Sequence, residues 1–592
     1  MEAERLKAEA DELFDAGRLP EAIDRYRQLL DRHPDFGRAW NNLGLCLRLQ
    51  GLQSEAETAF LRATEASPGL VAAWVNLGSM QEEDHRFDDA IRSFDRAVAL
   101  DPGSREARNN AGQMLSNLGR FCAAEEQFRA GLAAHPDDAT LHFNLGLALA
   151  RQARIPESLH ALARASGIDP AAHMVASAYL LTLNYADDLT PAFVRQEHER
   201  VSATFVDAAL PGFGAARSRR SAGRPLKVGY VSADLGYHVV SFFIEPVLRA
   251  HDRSVVHPYC YYAGIKEDAQ CERLKSLGVQ WRHIGSMGSR ESLDAIRSDE
   301  LDICVDLAGH TGGHRLSLFA ARLAPVQINW LGYPNTTGLP GMDCRFTDEH
   351  ADPAGATDIF HSERLVRLPR GFLVYQPRPE APEVSPLPAT TVGHITFGCF
   401  NNFSKVSDTV LSLWGTILGR LPASRLLLKS KGLGEDVLAA QVRERFKRLG
   451  GDPARLILEE QQAGFDQHLA RYGDVDVALD SYPYCGTTTT CEALWMGVPV
   501  VTLAGPVHAA RVGASLLQQV SRSRWIASTT EQYVDIAVTL ASDFAMLARE
   551  RASLRDTMRT SALTDADGFT RALESAYRQL VDAPSPAQPS SC

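Results

Sequence analysis

Residues 481–499, Ser481-Tyr-Pro-Tyr-Cys-Gly-Thr-Thr-Thr-Thr-Cys-Glu-Ala-Leu-Trp-Met-Gly-Val-Pro499, form the most informative stretch of the chain. A turn leads through four threonines into a run of strong helix formers. A helix N-terminus presents unpaired N–H groups and a partial positive charge, and the hydroxyls of Thr487, Thr488, Thr489 and Thr490 add donors there. A plain threonine N-cap is the alternative, but one side-chain oxygen is enough for a cap. The stretch therefore predicts a phosphate site.

The composition of the chain excludes several classes of protein. Its 592 residues suffice for roughly three or four domains. A net charge of −12 and a pI near 5.9 give no electrostatic reason to expect nucleic acid or an anionic membrane as partner. The ten cysteines form no Cys-x-x-Cys pair, so we expect neither a zinc ribbon nor a disulfide framework. The start of the chain is charged and no long apolar run occurs, so we expect a cytoplasmic location.

The first 170 residues repeat with a period of 34. The recurring residues are Pro34, Pro68, Pro102, Pro136 and Pro170; Asn42, Asn76, Asn110 and Asn144; Gly44, Gly78, Gly112 and Gly146; Ala22, Ala56, Ala90 and Ala124; and Tyr26, Phe60, Phe94 and Phe128. This pattern resembles the tetratricopeptide repeat, in which small residues let two helices approach, an aromatic ring fills the gap and a proline ends the second helix. We predict five helical hairpins in residues 1–170 that form a short solenoid.

The repeated asparagines lie on the first helix of each predicted hairpin, the face that lines the groove of such a solenoid. They either hydrogen-bond the backbone of an extended peptide, or cap or bridge neighbouring helices. The first alternative predicts acceptor proteins or peptides as partners bound along the groove. Residues 171–224 keep a helical pattern without the period, and we expect them to form a helical linker.

Two α/β lobes are predicted after the linker. In residues 225–388, short apolar runs that alternate with helical segments predict strands at 226–232, 257–263, 280–284, 303–307 and 326–331. In residues 389–583 the predicted strands are 394–400, 425–429, 456–458, 475–479 and 500–503, with terminal helices over 529–580 and a disordered tail at 584–592. This alternation predicts parallel sheets of the Rossmann type that bind ligands beyond the carboxyl ends of their strands.

Several side chains follow these strands and suggest chemistry. Lys405, in the loop after the first strand of the second lobe, would stabilise the charge on a departing nucleoside diphosphate held by the threonine helix. Asn402 is its predicted neighbour. His468 is predicted either to stack on a nucleobase or to cap its helix, and Arg471 follows it as a further donor-binding candidate. Glu492 is predicted to accept hydrogen bonds from ribose hydroxyls, although an exposed helical glutamate is the alternative.

Two histidines follow strands of the first lobe. His238 is the first candidate for the group that accepts the proton of a hydroxyl nucleophile, and His310, in a comparable loop, is the second. Asp474 and Asp476 superficially resemble a metal-binding Asp-x-Asp pair. Because no further carboxylate or histidine stands at ligand spacing, we expect no metal and no other cofactor.

Taken together, these residues resemble the O-GlcNAc transferase and SPINDLY family of protein O-glycosyltransferases. The matching stretches are Val228-Gly-Tyr-Val-Ser-Ala-Asp234 with His238, Asp306-Leu-Ala-Gly-His-Thr311, Ala324-Pro-Val-Gln-Ile-Asn-Trp-Leu-Gly-Tyr-Pro334, Phe397-Gly-Cys-Phe-Asn-Asn402 with Lys405, and the threonine helix. The resemblance implies a GT-B fold, inversion at the anomeric carbon, no essential metal and transfer to serine or threonine hydroxyls. It also implies that Lys405 contacts the diphosphate and Thr487–Thr489 its phosphates, while His468 contacts the base, Glu492 the ribose and His238 the reacting region.

The donor sugar is the least determined part of this interpretation. O-GlcNAc transferases usually have His-Thr-Thr and a downstream aspartate where this chain has Thr487–Thr489 and Glu492, and the same stretch resembles SPINDLY, whose members transfer fucose from GDP-fucose. We therefore favour GDP-fucose over UDP-GlcNAc. The remaining alternatives are an N-glucosyltransferase that modifies asparagine and a repeat scaffold without turnover.

Overall fold

The computed structural model describes residues 2–206, 210, 223–462 and 464–583. The chain divides into two compact units, Met1–Gln152 and Ala153–Cys592. The tail predicted to be disordered, 584–592, lies outside the described residues, as does most of the stretch 207–222 at the end of the predicted linker. No helix among the described residues is long and apolar enough to cross a membrane.

The first unit consists of antiparallel helical hairpins. Its helices are α1 (Glu2–Asp15), α2 (Leu19–Arg32), α3 (Gly37–Leu49), α4 (Gln53–Ala66), α5 (Val71–Glu83), α6 (Phe87–Leu100), α7 (Arg105–Asn117), α8 (Phe121–Ala134) and α9 (Ala139–Arg151). The recurring glycine and aromatic residues meet inside each hairpin. A Cβ on Gly112 would lie 2.4 Å from the ring of Phe128, and one on Gly44 would lie 2.6 Å from Phe60. The absence of a side chain is therefore what lets the two helices approach.

The asparagines of the repeats hydrogen-bond one another. Asn76 Nδ2 donates to Asn41 Oδ1 at 2.9 Å, and Asn144 Nδ2 donates to Asn109 Oδ1 at 2.8 Å, each pair joining the first helices of neighbouring hairpins. Asn42 donates in the same way to a carboxylate of the first hairpin, Asp11, at 3.0 Å. Of the two alternatives derived from the sequence, these contacts show the bridging of neighbouring helices.

The second unit begins inside the predicted fifth repeat and includes the helices of the predicted linker. Helix α10 (Ile155–Ile168) belongs to this unit, followed by α11 (His173–Leu183) and α12 (Pro191–Ser202). The apolar faces of α11 and α12 join the core on one side of the first sheet, where Leu180 and Val201 pack in the same cluster as Phe319. The helices predicted for the linker are present, and their buried residues belong to the core that covers the sheet.

The first lobe is built on a seven-stranded parallel sheet with the order β3-β2-β1-β4-β5-β6-β7. Its strands are β1 (Leu226–Ser232), β2 (Val256–Tyr262), β3 (Gln280–His283), β4 (Ile303–Asp306), β5 (Val326–Asn329), β6 (Cys344–Thr347) and β7 (Arg364–Arg367). The helices between them are α13 (Val239–Ala250), α14 (Ala269–Lys275), α15 (Ser289–Ser298) and α16 (Leu316–Ala320). The five predicted strands are present, whereas β6 and β7 are additions to the prediction.

The second lobe is built on a six-stranded sheet with the order β10-β9-β8-β11-β12-β13. Its strands are β8 (Thr396–Cys399), β9 (Arg425–Lys429), β10 (Leu456–Glu459), β11 (Val477–Leu479), β12 (Val500–Leu503) and β13 (Ile526–Ala527). The helices are α17 (Ala389–Val392), α18 (Asp408–Arg420), α19 (Asp436–Arg448), α20 (Phe465–Ala470), α21 (Thr488–Trp495), α22 (Val512–Gln519), α23 (Thr530–Ser542), α24 (Phe544–Arg559) and α25 (Ala566–Asp582).

The last helix, α25, returns to the first lobe. Phe569 stacks on Trp330 with ring centroids 6.1 Å apart, and Glu574 accepts a hydrogen bond from His251 at 2.9 Å. The prediction that all terminal helices belong to the second lobe is therefore wrong for α25, since its apolar face completes the core beside β1 and β5. The chain thus crosses between the lobes twice, once near residue 388 and once before α25.

Candidate active site

A cavity of about 240 Å³ is lined by residues of both lobes. The first lobe contributes His238, Val239, Val240, Phe243, Leu331, Gly332, Pro334 and Phe372, and the second contributes Asn401, Asn402, Lys405, Tyr484, Thr487, Thr488, Thr489, His508 and Val512. The loops after β1 and β8 and the turn that follows β11 all reach it, because each leaves the carboxyl end of a parallel strand, the edge at which such sheets bind ligands. The structure therefore brings His238, Asn402, Lys405 and Thr487–Thr489 to one cavity.

The turn before α21 is held by a buried carboxylate. Asp480 accepts hydrogen bonds from the Gly486 amide at 2.7 Å and from the Thr502 hydroxyl at 2.8 Å. A residue larger than Gly486 would not fit in this turn, because a Cβ there would lie 2.5 Å from Oγ1 of Thr489. The backbone is thereby fixed in a tight turn with the first amides of α21 directed out of the helix.

The threonines of α21 have different environments. Thr487 is the N-cap but makes no side-chain capping hydrogen bond, so its hydroxyl is not used in the way that the N-cap alternative requires. Thr489 donates to Oδ1 of Asn401. Thr490, the secondary candidate, is buried and donates to the carbonyl of Gly486 at 3.1 Å, which makes it part of the turn. It does not line the cavity.

Lys405 is a partly buried cation at the edge of this turn. Its Nζ donates to the carbonyl of Cys485 at 3.0 Å and lies 3.9 Å from the centre of the Tyr484 ring. Within the described chain no carboxylate forms an ion pair with it, and burial lowers the pKa of Lys405 to about 8. The buried Asp480 carboxylate acts in the opposite direction and raises the pKa of Lys405, but it forms no ion pair with the ammonium group. A buried ammonium group beside a helix N-terminus favours an anionic ligand.

Asn402 supports the same loop. Its side chain accepts from the Ser404 amide at 3.2 Å, and its carbonyl accepts from the Lys405 amide at 2.9 Å. Both bonds fix the short turn that carries Lys405. Asn402 thus lines the cavity and also shapes the loop from which the ammonium reaches it.

His238 stands at the N-terminus of α13 and is the N-cap of that helix. Its Nδ1 accepts from the Val240 amide at 3.3 Å and lies 3.7 Å from Oδ1 of Asp234, and 47% of the side chain is exposed. Burial raises the pKa of Asp234. The Val240 amide uses the lone pair of Nδ1, so His238 caps α13 as well as lining the cavity.

His468 and Glu492 pair with each other, and neither lines this cavity. His468 Nε2 lies 3.0 Å from Oε2 of Glu492, and both side chains are largely buried, so the exposed-glutamate alternative is wrong. The Nδ1 atom of His468 is buried without a hydrogen-bond partner among the described residues. Arg471 is bound to two carboxylates, Glu459 and Asp474, and the structure does not bring it to the cavity.

His310 is not brought to the cavity either. It is 1% exposed, and its ring nitrogens lie 2.9 Å from the Ser177 hydroxyl and 2.8 Å from the Thr337 carbonyl. Burial lowers the pKa of His310 well below its usual value. These contacts join α11 to the loop after β4, so the histidine that was the second proton-acceptor candidate serves in the packing of the first lobe.

The acidic pair at 474–476 is engaged in the protein. Asp474 pairs with Arg471, and Asp476 accepts from the amides of Ala389 at 2.9 Å and Thr396 at 2.8 Å. These bonds tie the start of β8 to the strand beside it. The carboxylate of Asp476 therefore has a structural role in the second sheet.

A histidine that the sequence analysis did not single out also lines the cavity. His508 Nδ1 lies 2.7 Å from Oδ2 of Asp352, and the ring meets Phe372 edge-on at 5.0 Å between centroids. The two partners are 156 residues apart, in different lobes, and neither belongs to a periodic pattern. Sequence reasoning had no local signal for this pair.

The architecture and the cavity define the class of the protein: a helical-repeat region followed by two lobes of parallel sheet that share a ligand site, as in GT-B glycosyltransferases. Comparison with known families agrees. The chain matches the family described as "Glycosyl transferase family 41" over residues 208–380 and 387–573, and tetratricopeptide repeats over 7–71 and 82–145. The chain belongs to glycosyl transferase family 41.

Individual relatives give the same result. The rice protein named "Probable UDP-N-acetylglucosamine--peptide N-acetylglucosaminyltransferase SPINDLY" is 42% identical over 417 residues, and its Arabidopsis thaliana counterpart is 40% identical over 418 residues. Each alignment covers 70% of this chain and 45% of the relative, so the chain spans less than half the length of these curated proteins. A solved mutant of the Thermobaculum terrenum O-GlcNAc transferase is 35% identical with a TM-score of 0.80, covering 86% of this chain and 97% of that one.

Proposed function

We propose that this chain is a protein O-glycosyltransferase that transfers a sugar from a nucleotide-sugar donor to serine or threonine hydroxyls with inversion. The observation that carries the proposal is the shared cavity of Lys405 and the first turn of α21. A nucleoside diphosphate bound there would meet an ammonium group and the free amides of a helix N-terminus.

The chemistry follows from this placement. The hydroxyl oxygen of the acceptor attacks the anomeric carbon, and the bond from that carbon to the diphosphate oxygen breaks as the new glycosidic bond forms. The leaving diphosphate gains negative charge, which Lys405 and the α21 amides stabilise. The proposed acceptor of the proton of the attacking hydroxyl is His238, because it lines the cavity and half of its side chain is exposed.

The proposed donor is UDP-GlcNAc. The rice and Arabidopsis relatives are named as N-acetylglucosaminyltransferases that use UDP-N-acetylglucosamine. These names do not support the preference for GDP-fucose that the threonine stretch suggested, so GDP-fucose becomes the second candidate. It is kept because Glu492, paired with His468, stands where the O-GlcNAc transferases usually have an aspartate.

The proposed acceptors are proteins. Tetratricopeptide repeats commonly present surfaces for peptides, and residues 7–71 and 82–145 match such repeats. Because Asn76 and Asn144 donate to the neighbouring helices at Asn41 and Asn109, acceptor recognition would use other side chains of the helices, or asparagine atoms that these bonds leave free.

The experiment is a donor and product assay on the full chain. The protein is incubated with a mixture of candidate acceptor proteins and either UDP-GlcNAc or GDP-fucose, and the products are examined by mass spectrometry with site localisation. The proposal predicts N-acetylhexosamine on serine or threonine. Fucose on serine or threonine would replace the proposed donor, a sugar on asparagine would overturn the acceptor, and binding of either donor without any modified protein or nucleotide release would favour the repeat scaffold.

A further inference from the structure

The cavity contains a second imidazole whose environment differs from that of His238. The side chain of His508 is 2% exposed, against 47% for His238, although both line the same space. Within the described residues, Nε2 of His508 makes no hydrogen bond to the protein, whereas Nδ1 is bound to Asp352 at 2.7 Å. One ring nitrogen is therefore anchored and the other is left for a ligand.

Asp352 fixes the state of the ring. Burial raises the pKa of Asp352, but the opposing effects of His508 and His361 are larger and hold this pKa well below its usual range. Burial also lowers the pKa of His508, with Arg345 acting in the same direction and Asp352 against it. Since burial disfavours the charged ring, His508 donates from Nδ1–H to Asp352, and the lone pair of the ring is on Nε2.

His508 is joined to the Lys405 site through the backbone. Lys405 donates to the carbonyl of Cys485, and the amide of Cys485 donates at 2.9 Å to the carbonyl of Ala509, the residue after His508. The ring is held from the other side by Phe372 of the first lobe. These contacts place His508 beside the diphosphate site of the proposed function, in the part of the cavity enclosed by both lobes.

The free lone pair selects the kind of group that can bind. An ionised diphosphate offers only acceptor atoms, so it cannot donate to a neutral imidazole nitrogen, whereas a sugar hydroxyl can. An acceptor protein must enter the cavity from solvent, so its hydroxyl would meet the half-exposed His238. The sugar of a bound donor would lie inside the cavity, where His508 is. We infer that the Asp352–His508 pair accepts a hydrogen bond from a hydroxyl group of the donor sugar and so helps to select that sugar.

The inference rests on the proposed function, and a binding experiment separates the two. Affinities of UDP, UDP-GlcNAc and its 3-, 4- and 6-deoxy analogues are measured by calorimetry for the wild-type chain and for His508→Leu. We expect the variant to bind UDP as the wild type does but UDP-GlcNAc about tenfold more weakly, the usual cost of one unmade hydrogen bond. One deoxy analogue should bind both proteins equally weakly, and this identifies the hydroxyl.

Controls keep the result interpretable. His350→Leu makes the same chemical change on an exposed residue and should leave all affinities unchanged, and melting temperatures report whether His508→Leu is folded. Asp352→Asn is the second variant. Its amide N–H should donate to Nδ1 of His508, which moves the ring proton to Nε2 and leaves no lone pair there for the sugar. This variant should therefore weaken UDP-GlcNAc binding more than UDP binding.

The outcomes are distinct. Equal losses of UDP and UDP-GlcNAc affinity, or the same discrimination among deoxy analogues in wild type and His508→Leu, would overturn the inference while leaving the proposed function intact. Failure of the wild-type chain to bind UDP-GlcNAc would instead overturn the proposed donor. The same comparison made with GDP and GDP-fucose would then test the inference, with an unchanged GDP-fucose affinity in His508→Leu as the contradicting result.

Discussion

The ammonium of Lys405 is fixed by the two residues before the threonine turn: it lies 3.9 Å from the centre of the Tyr484 ring and donates to the carbonyl of Cys485. The ring of Tyr484 stacks in turn on Tyr185 at 5.3 Å between centroids. The cation is therefore held at the N-terminal side of α21 before any ligand binds, and little reorganisation is needed when charge develops on a leaving group.

Replacement of Lys405 by alanine should abolish most turnover. The change removes a positive charge from the leaving-group side of the cavity, and we expect kcat to fall by about 100- to 1,000-fold. Nucleotide release under saturating donor measures this. Lys447→Ala, on the exposed face of α19, is the matched control and should keep the wild-type rate. A Lys405→Ala enzyme within a few-fold of wild type would show that the ammonium does not act on the leaving group.

The turnover of the enzyme should decrease at alkaline pH. Burial lowers the pKa of Lys405 to about 8, and its protonated form is the one that stabilises the diphosphate. We therefore expect kcat/KM to be constant on the neutral side of this pKa and to fall tenfold per pH unit above it. Lys405→Arg, which stays charged, should remove this alkaline limb even if its rate is low. An alkaline limb that persists in Lys405→Arg would assign the ionisation to another group.

The close approach of helices in the repeats should depend on the recurring glycines. Gly112→Ala would place a Cβ 2.4 Å from the Phe128 ring, and we expect the unfolding free energy of residues 1–152 to fall by about 1–3 kcal/mol. Gly69→Ala, where nothing lies within 4 Å, should change it by less than about 0.5 kcal/mol. Chemical denaturation followed by circular dichroism provides the comparison. Equal effects of the two substitutions would show that the packing of Phe128 does not require glycine.

The first lobe should lose stability in acid because it buries neutral histidines. Burial lowers the pKa values of His198 and His314 to about 4, and it also lowers the pKa of His310 well below its usual value. These values lie below the unfolded value of about 6.5, so the unfolded state binds the protons and stability falls as pH decreases from there towards 4. Between pH 6.5 and 5.5 we expect a loss of about 2–4 kcal/mol in the unfolding free energy.

A histidine variant isolates this effect from that of other titrating groups. His314→Asn removes one of the three imidazoles and should make the decrease with falling pH about one third shallower. Urea denaturation at each pH gives both slopes. The same slope in both proteins would mean that the buried histidines do not cause the acid sensitivity.

The sequence predicted the features that have a local pattern. The period of 34 gave the hairpins, and the apolar runs between helical segments gave most strands of both sheets. β6 and β7 were missed because β7 begins and ends with arginine, and because only a three-residue 3-10 helix, Asp358–Phe360, separates the two strands. The position of α25 was missed because its amphipathic pattern indicates a buried face without indicating which lobe covers it.

The same distinction applies to the cavity. Lys405 and Thr487–Thr489 could be placed together because each follows a strand of one sheet, and all reach its carboxyl edge. The Asp352–His508 pair joins two lobes, and no spacing along the chain reports such a contact. His310 follows a strand as His238 does, but its ring is bound by Ser177 of a helix whose packing the sequence did not indicate.

The central claim is that Lys405 and the first turn of α21 bind the diphosphate of a nucleotide-sugar. A crystal structure of the chain with UDP tests it most directly. We expect phosphate oxygens within about 3.3 Å of Lys405 Nζ and of an amide of Thr488 or Thr489. Clear density for the nucleotide at another place, with Lys405 still bound only to the Cys485 carbonyl, would contradict it.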